Sequence, residues 1–293
     1  MKFKGVYSVV VTPFDEKGKF DFEAMKKNVD YLIESGIHGL CVLGATSEYL
    51  SVSTKEYKEI LEAIIPYIDG RVPVAVGASR ERSEDVVELI NIAEAAGAQI
   101  AMVLPPYYCH PSQGEIFEHF KYITENTNLP LIVYNNPGSA GVNIEKETFE
   151  KLFTLPKIAV VKDSTGDISE LTKLQIIARE DVSVFCGSDC LPYESFAIGA
   201  DGWISMLSNV APKNCVALYD LINNNKREEA FELYKKMLPA LYLLEEYGKP
   251  TQILKYLLDV KGLKGGYSRR PRRELSESEK KYILKQVDLE VLK

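Results

Sequence analysis

The feature that most constrains this chain is an alternation. Short apolar, β-branched runs recur at 6–11, 39–43, 72–77, 100–104, 131–135, 158–161, 182–186 and 202–206. Each is apolar nearly throughout, as a strand covered on both faces must be. Between them, at 22–35, 54–67, 83–96, 115–126, 144–153 and 168–178, apolar residues fall three and four apart, a spacing that predicts amphipathic helices. Ser53-Thr54-Lys55-Glu56 has the spacing of a capping box and Ser83-Glu84-Asp85 approaches it, while Gly36 and Gly97 follow the first and third helices as stop signals. Strand and helix thus repeat about every 25 to 30 residues, which predicts an α/β fold, a (β/α)8 TIM barrel of eight parallel strands. The competitor is an open doubly wound sheet, disfavoured because no Gly-x-Gly-x-x-Gly follows the first run. Past Asn223 the strand signals cease, and 226–247, 251–261 and 276–285 read as helices. The expected organisation is a barrel over 1–223 and a C-terminal helical extension over 224–293, packed beside it as one structural unit.

The chain's 293 residues, 46% of them hydrophobic, suffice for one large core and an appendage. A net charge of −7 with thinly spread basic residues makes nucleic acid and anionic membranes poor partners. The local exception is Arg269, Arg270, Arg272 and Arg273 around Pro271; such a cluster could hold an anion, but reads better as a salt-bridged surface or interface segment. Five cysteines, Cys41, Cys109, Cys186, Cys190 and Cys215, lack the paired spacing of a zinc site, so neither a metal nor another cofactor is expected and free thiols are. The first residues have no apolar stretch of signal-peptide length, and no run approaches the ~20 residues of a membrane span. A cytoplasmic location is therefore expected.

In such a barrel the site is built from the C-terminal ends of the strands and the loops that follow. The sixth run ends Ile158-Ala159-Val160-Val161-Lys162-Asp163-Ser164-Thr165-Gly166. A lysine there leaves the packed interior partly desolvated. That works against the ammonium form and leaves a free amine able to attack a carbonyl carbon. The bland alternative is a structural ion pair with Asp163 or another acid. The fifth run places Tyr134 on the neighbouring mouth, either as a proton shuttle or as an aromatic cap on the core. Leu43-Gly44-Ala45-Thr46-Ser47-Glu48 forms a glycine turn that can aim backbone N–H groups and the Thr46 hydroxyl at a carboxylate, although most such turns bind nothing. Tyr107 and Tyr108, on a proline-stiffened loop, suggest a lid or an aromatic contact across a subunit boundary. His110 is a weaker candidate for substrate contact, and His38 and His119 carry no special signal.

These residues bring a family into view. Thr12-Pro13-Phe14, Gly44-Ala45-Thr46-Ser47-Glu48, Pro106-Tyr107-Tyr108, Tyr134-Asn135-Asn136-Pro137, Val161-Lys162-Asp163-Ser164-Thr165-Gly166 and Gly187-Ser188-Asp189 stand in one register. From about Val6 to Leu275 the chain resembles the dihydrodipicolinate synthase and N-acetylneuraminate lyase family of class I pyruvate-dependent aldolases. The resemblance implies that Lys162 is the Schiff-base lysine and Tyr134 the proton shuttle. It also implies that Ala45 and Thr46 receive the carboxylate of a 2-oxo acid, with Gly187 and Ile204 nearby as further substrate contacts. Tyr108 corresponds to a tyrosine that enters a neighbouring subunit's site in tetrameric members, implying a homotetramer, a dimer of dimers.

Three departures narrow the expected activity. Ala45 removes a hydroxyl of the family's proton relay. Ser139, taken as a substrate-contact position, stands where lysine-pathway synthases carry an arginine for the second substrate's carboxylate. Losing such a charge-assisted contact costs on the order of 1.5–3 kcal/mol per bond. Cys190 replaces a glutamate used by sialic acid lyases. The expectation is therefore a Schiff-base lyase acting on a 2-oxo acid, an aldolase or dehydratase of a 2-keto-3-deoxy sugar acid. Two alternatives stay open: a 4-hydroxy-tetrahydrodipicolinate synthase condensing pyruvate with aspartate semialdehyde, and a non-catalytic sugar-acid binding protein on the same scaffold.

Overall fold

Runs that are apolar on both faces need cover on both faces, and a sheet closed on itself with helices outside supplies it. A computed structural model describes residues 2–288 and 290–292; residues 1, 289 and 293 of the expected spans lie outside it. The strands are β1 (Gly5–Val9), β2 (Gly39–Val42), β3 (Val74–Gly77), β4 (Ile100–Val103), β5 (Leu131–Asn135), β6 (Ile158–Asp163), β7 (Ser183–Cys186) and β8 (Gly202–Ser205). They pair in parallel and in chain order, β8 closing on β1. The helices are α1 (Phe22–Glu34), α2 (Thr54–Ile68), α3 (Ser83–Ala96), α4 (Gln113–Asn126), α5 (Pro137–Ala140), α6 (Lys146–Leu152), α7 (Ile168–Ile177), α8 (Pro192–Ala197), α9 (Pro212–Asn223), α10 (Arg227–Glu246), α11 (Pro250–Val260) and α12 (Glu277–Gln286). The fold is the expected (β/α)8 TIM barrel.

Side-chain alternation splits the core in two. Inside the barrel, Val9, Cys41, Ile100, Met102, Val160 and Phe185 form one cluster, while Val161, Val184 and Trp203 face out and join the larger cluster under the helices. On β6 the inward set runs Val160 then Lys162, so the same two-residue period that fills the barrel delivers the lysine to its mouth.

Helices α5, α8 and α9 have no counterpart among the expected ones. The first two are too short to show a stripe. In α9, Cys215, Leu218 and Ile222 are buried while Val216, Tyr219 and Leu221 also pack on the core, so its periodicity is smeared. The capping box of α2 is present, the Ser53 Oγ taking the Glu56 N–H at 3.3 Å and a Glu56 oxygen taking the Ser53 N–H at 3.0 Å. Ser83 does not cap. Its hydroxyl lies 2.8 Å from His119 Nδ1 instead, and Arg82 takes the N-cap position without a side-chain bond.

His119, which carried no signal in the sequence, is buried, and its Nε2 has no partner among the described residues. Burial depresses its pKa from 6.5 to about 4. The folded protein therefore holds the ring neutral while the unfolded chain takes up a proton, and stability is lost as pH falls from 6.5 towards 4. At about 1.4 kcal/mol per pH unit the loss totals roughly 3 kcal/mol. Urea unfolding of the wild type and His119→Gln across this window should show a shallower acid limb in the variant. Parallel limbs would mean that the ring charges freely in the fold.

Among the described residues no helix is long and apolar enough to cross a membrane. None of the five cysteines is in a disulfide.

Candidate active site

At the C-terminal mouth of the barrel lies a cavity of about 560 Å³. Lys162 and Tyr134 are register partners on β6 and β5, and the Lys162 Nζ sits 3.8 Å from the centroid of the Tyr134 ring. Lys162 is 5% exposed and in no ion pair among the described residues. Asp163 does not take it up. Strand alternation turns Asp163 to the other face, where it accepts from Asn135 Nδ2 at 2.9 Å and from Thr165 Oγ1 at 2.6 Å and laces the loops after β5 and β6 together. Burial raises the Asp163 pKa even so. The Tyr134 hydroxyl accepts from Asn136 Nδ2 at 2.7 Å.

Gly187 is required where it stands. A Cβ there would come within 2.1 Å of Ser164 Oγ and 2.8 Å of Lys162 Cε, so only glycine lets β7 end beside the lysine. The buried Ser164 hydroxyl, also in the cavity wall, has no partner among the described residues.

The turn after β2 forms the opposite wall through Ala45 and Thr46. Non-glycine residues in left-handed conformation flank it, Leu43 at φ 53° and Glu48 at φ 64°, and each costs about 1 kcal/mol or more that its surroundings must offset. Ser47 N–H donates to Gly44 O and Glu48 N–H to Ala45 O, which leaves the Ala45 and Thr46 N–H groups without a protein acceptor among the described residues. The Thr12 hydroxyl donates to Ser47 O at 2.9 Å. The Glu48 carboxylate is fully buried and receives Lys255 Nζ at 2.6 Å and Arg269 N–H at 2.8 Å.

The C-terminal extension does more than flank the barrel. Leu244 and Glu245 at the end of α10, Pro250, Thr251 and Gln252 at the start of α11, and Arg272 form the cavity's upper wall. Thr251 Oγ1 donates to Thr46 O at 3.2 Å, tying this roof to the turn below. Glu245 takes the Ser188 hydroxyl at 3.2 Å and the Asp189 N–H. Asp189, fully buried, accepts from Trp203 Nε1 at 3.1 Å and Leu207 N at 2.7 Å, and burial with Glu245 nearby pushes its pKa up to about 7.

Six of the eight expected site residues therefore line the one cavity: Lys162, Tyr134, Ala45, Thr46, Gly187 and Ile204. Ser139 does not. It lies in the short helix α5, its N–H bonded to Asn136 Oδ1 at 3.1 Å and its side chain exposed, and Asn136 and Gly138 face the cavity in its place. Tyr108 is 85% exposed and outside the wall of its own chain. Its loop is held by Glu81, whose carboxylate accepts the N–H groups of Tyr107, Tyr108 and Cys109 at 3.1, 3.1 and 2.9 Å. His110 and Cys190 also lie outside the wall. Sequence reasoning missed Asn136, Ser164, Thr165 and most of the roof; the first three stand in the motif segments it quoted, Leu244 to Gln252 carried no signal of their own, and Arg272 stood in an arginine cluster read instead as a surface or interface segment.

The profile of the dihydrodipicolinate synthetase family matches residues 2–289. The 4-hydroxy-tetrahydrodipicolinate synthase of Bacillus velezensis is 33% identical over 280 residues, covering 96% of both chains. That of Methanocaldococcus jannaschii is 33% identical over 282 residues, again covering 96% of each. The crystal structure of dihydrodipicolinate synthase from Thermotoga maritima superposes with a TM-score of 0.92 at 32% identity, covering 98% of each chain. With the family profile matched along nearly its whole length, the chain belongs to the dihydrodipicolinate synthetase family and is an enzyme of that family, a class I lyase of the pyruvate-dependent kind.

Proposed function

We propose that Lys162 forms a Schiff base with pyruvate and that the enamine derived from it condenses with a second, carbonyl-bearing substrate. The observation that carries this reading is the Lys162 amine lying 3.8 Å from the Tyr134 ring on the floor of an open cavity, without an acid to pair with among the described residues. The amine adds to the ketone carbon, the carbinolamine loses its oxygen as water, and the resulting iminium draws electrons from the adjacent carbon. Tyr134 is the group within reach to carry protons in both steps. The unclaimed N–H groups of Ala45 and Thr46 suit the substrate's carboxylate, as donors fixed in a turn. Gly187 and Ile204 complete the floor beside the lysine.

The relatives' name favours 4-hydroxy-tetrahydrodipicolinate synthesis, with aspartate semialdehyde as the second substrate, over the sugar-acid cleavage expected from the sequence. The sugar-acid reading keeps one support: Ala45 and Ser139 stand where a synthase relay and its arginine are expected. A single assay separates them. Consumption of aspartate semialdehyde only when pyruvate is present supports the synthase; pyruvate release from 2-keto-3-deoxy acids, with the semialdehyde untouched, would replace it. For Tyr108, 85% exposed on a preset loop, we propose a place in a neighbouring copy's site within a homotetramer.

A further inference from the structure

Two of the four arginines between α11 and α12 do different jobs. Arg269 is saturated: its guanidinium donates to Gly18 O, to Ser51 O at 2.6 Å and to both Glu56 oxygens at 2.6 and 3.1 Å, and it pulls the Glu56 pKa down to about 2. Arg272 is not. Its side chain makes one long hydrogen bond, Nη1 to Ser51 Oγ at 3.4 Å, and stands 3.6 Å from a Glu48 oxygen. Glu48 does not need it, since Lys255 and the Arg269 N–H already hold that carboxylate. The remaining guanidinium donors of Arg272 have no protein acceptor among the described residues, and the residue lines the cavity that contains Lys162.

We propose that Arg272 is a specificity-determining residue. It anchors an anionic group at the end of the substrate remote from Lys162, so that the site selects 2-oxo acids or condensation partners that bear a second carboxylate. This rests on the Schiff-base reading above. The carboxylate next to the reacting carbonyl has its own place, the Ala45–Thr46 turn, beneath the roof. Arg272 reaches the cavity from a different segment, the one that packs over Ser51 and Glu48. A cavity of about 560 Å³ leaves room for far more than pyruvate. Its other roof charge, Glu245, enters over β7 and is already engaged by Ser188 and Asp189. An extended substrate can thus keep its second anion away from Glu245 and on the planar fork of Arg272.

The test compares two acids of equal chain length, 2-oxoadipate and 2-oxohexanoate, which differ only in the far carboxylate, by the concentration that half-saturates borohydride-trapped adduct. Wild type should favour 2-oxoadipate by about tenfold or more. In Arg272→Met the preference should collapse to near unity, and in Arg272→Lys, which keeps the charge without the fork, it should fall part way. Equal half-saturation in the wild type, or a preference that survives Arg272→Met, overturns the proposal. So does a variant that weakens both acids by the same factor, because Arg272 would then serve the first carboxylate. A thermal melt of each variant confirms that the fold is retained. Should wild type form no adduct even with pyruvate, the Schiff-base reading fails on its own, and calorimetry with the same two acids still decides the role of Arg272.

Discussion

Lys162→Ala is expected to give no borohydride-trapped adduct with pyruvate and to lower turnover on the order of a thousandfold or more. The reasoning is local. Among the described residues of the cavity wall Lys162 carries the only amine, and Arg272, the other cation there, is no nucleophile at ordinary pH. Lys162→Arg should be equally inert, since it restores the charge but not the nucleophile, and this separates covalent catalysis from a merely electrostatic role. Removing the side chain enlarges an existing open cavity rather than leaving a sealed void in the core, so the thermal midpoint should move little. Mass spectrometry of the reduced, digested protein should find the modification on the peptide containing Lys162. An adduct of undiminished yield on Lys162→Ala would move the chemistry to another amine.

Lys255→Met is expected to cost about 3 kcal/mol or more of stability, because breaking one side of a buried ion pair strands the other charge. Both partners are nearly unexposed, 4% for the Lys255 side chain and 0% for that of Glu48. The Lys255 amine also donates to Tyr267 O at 2.7 Å and lies 5.0 Å from the Phe14 ring, so its loss loosens three segments at once. Lys255→Met combined with Glu48→Gln should recover part of the loss, since no buried charge is then left alone. Equilibrium urea unfolding measures all three proteins. A loss below about 1 kcal/mol in the single variant would mean that water or Arg272 satisfies Glu48 unaided.

Much of this was legible in the sequence because it depends on period. The strands' apolar runs and the single lysine closing Ile158-Ala159-Val160-Val161 gave both the barrel and its floor, as the two-residue alternation on β6 decides which way each side chain faces. Pairings distant in the chain were not legible. Nothing near Glu48 announces that it will meet Lys255, or that Thr46 will be met by Thr251. The helix pattern of α11 gives its buried face without saying which part of the barrel it covers. Ser83 shows the limit of a local rule: a good capping residue was claimed by a buried histidine on a different helix. Ser139 shows another, for a position matched by register can be turned outward by one short helical turn.

Because the floor of this cavity comes from strand ends and its ceiling from Leu244 to Arg272, the two are encoded in separate stretches of the gene. Bond-making apparatus can stay constant while the ceiling drifts, and a lineage could exchange one substrate for another without touching the imine. The drift is bounded: the links from Thr251 to Thr46 and from Lys255 to Glu48 act as bolts, leaving the positions between and beyond them as the ones free to diversify.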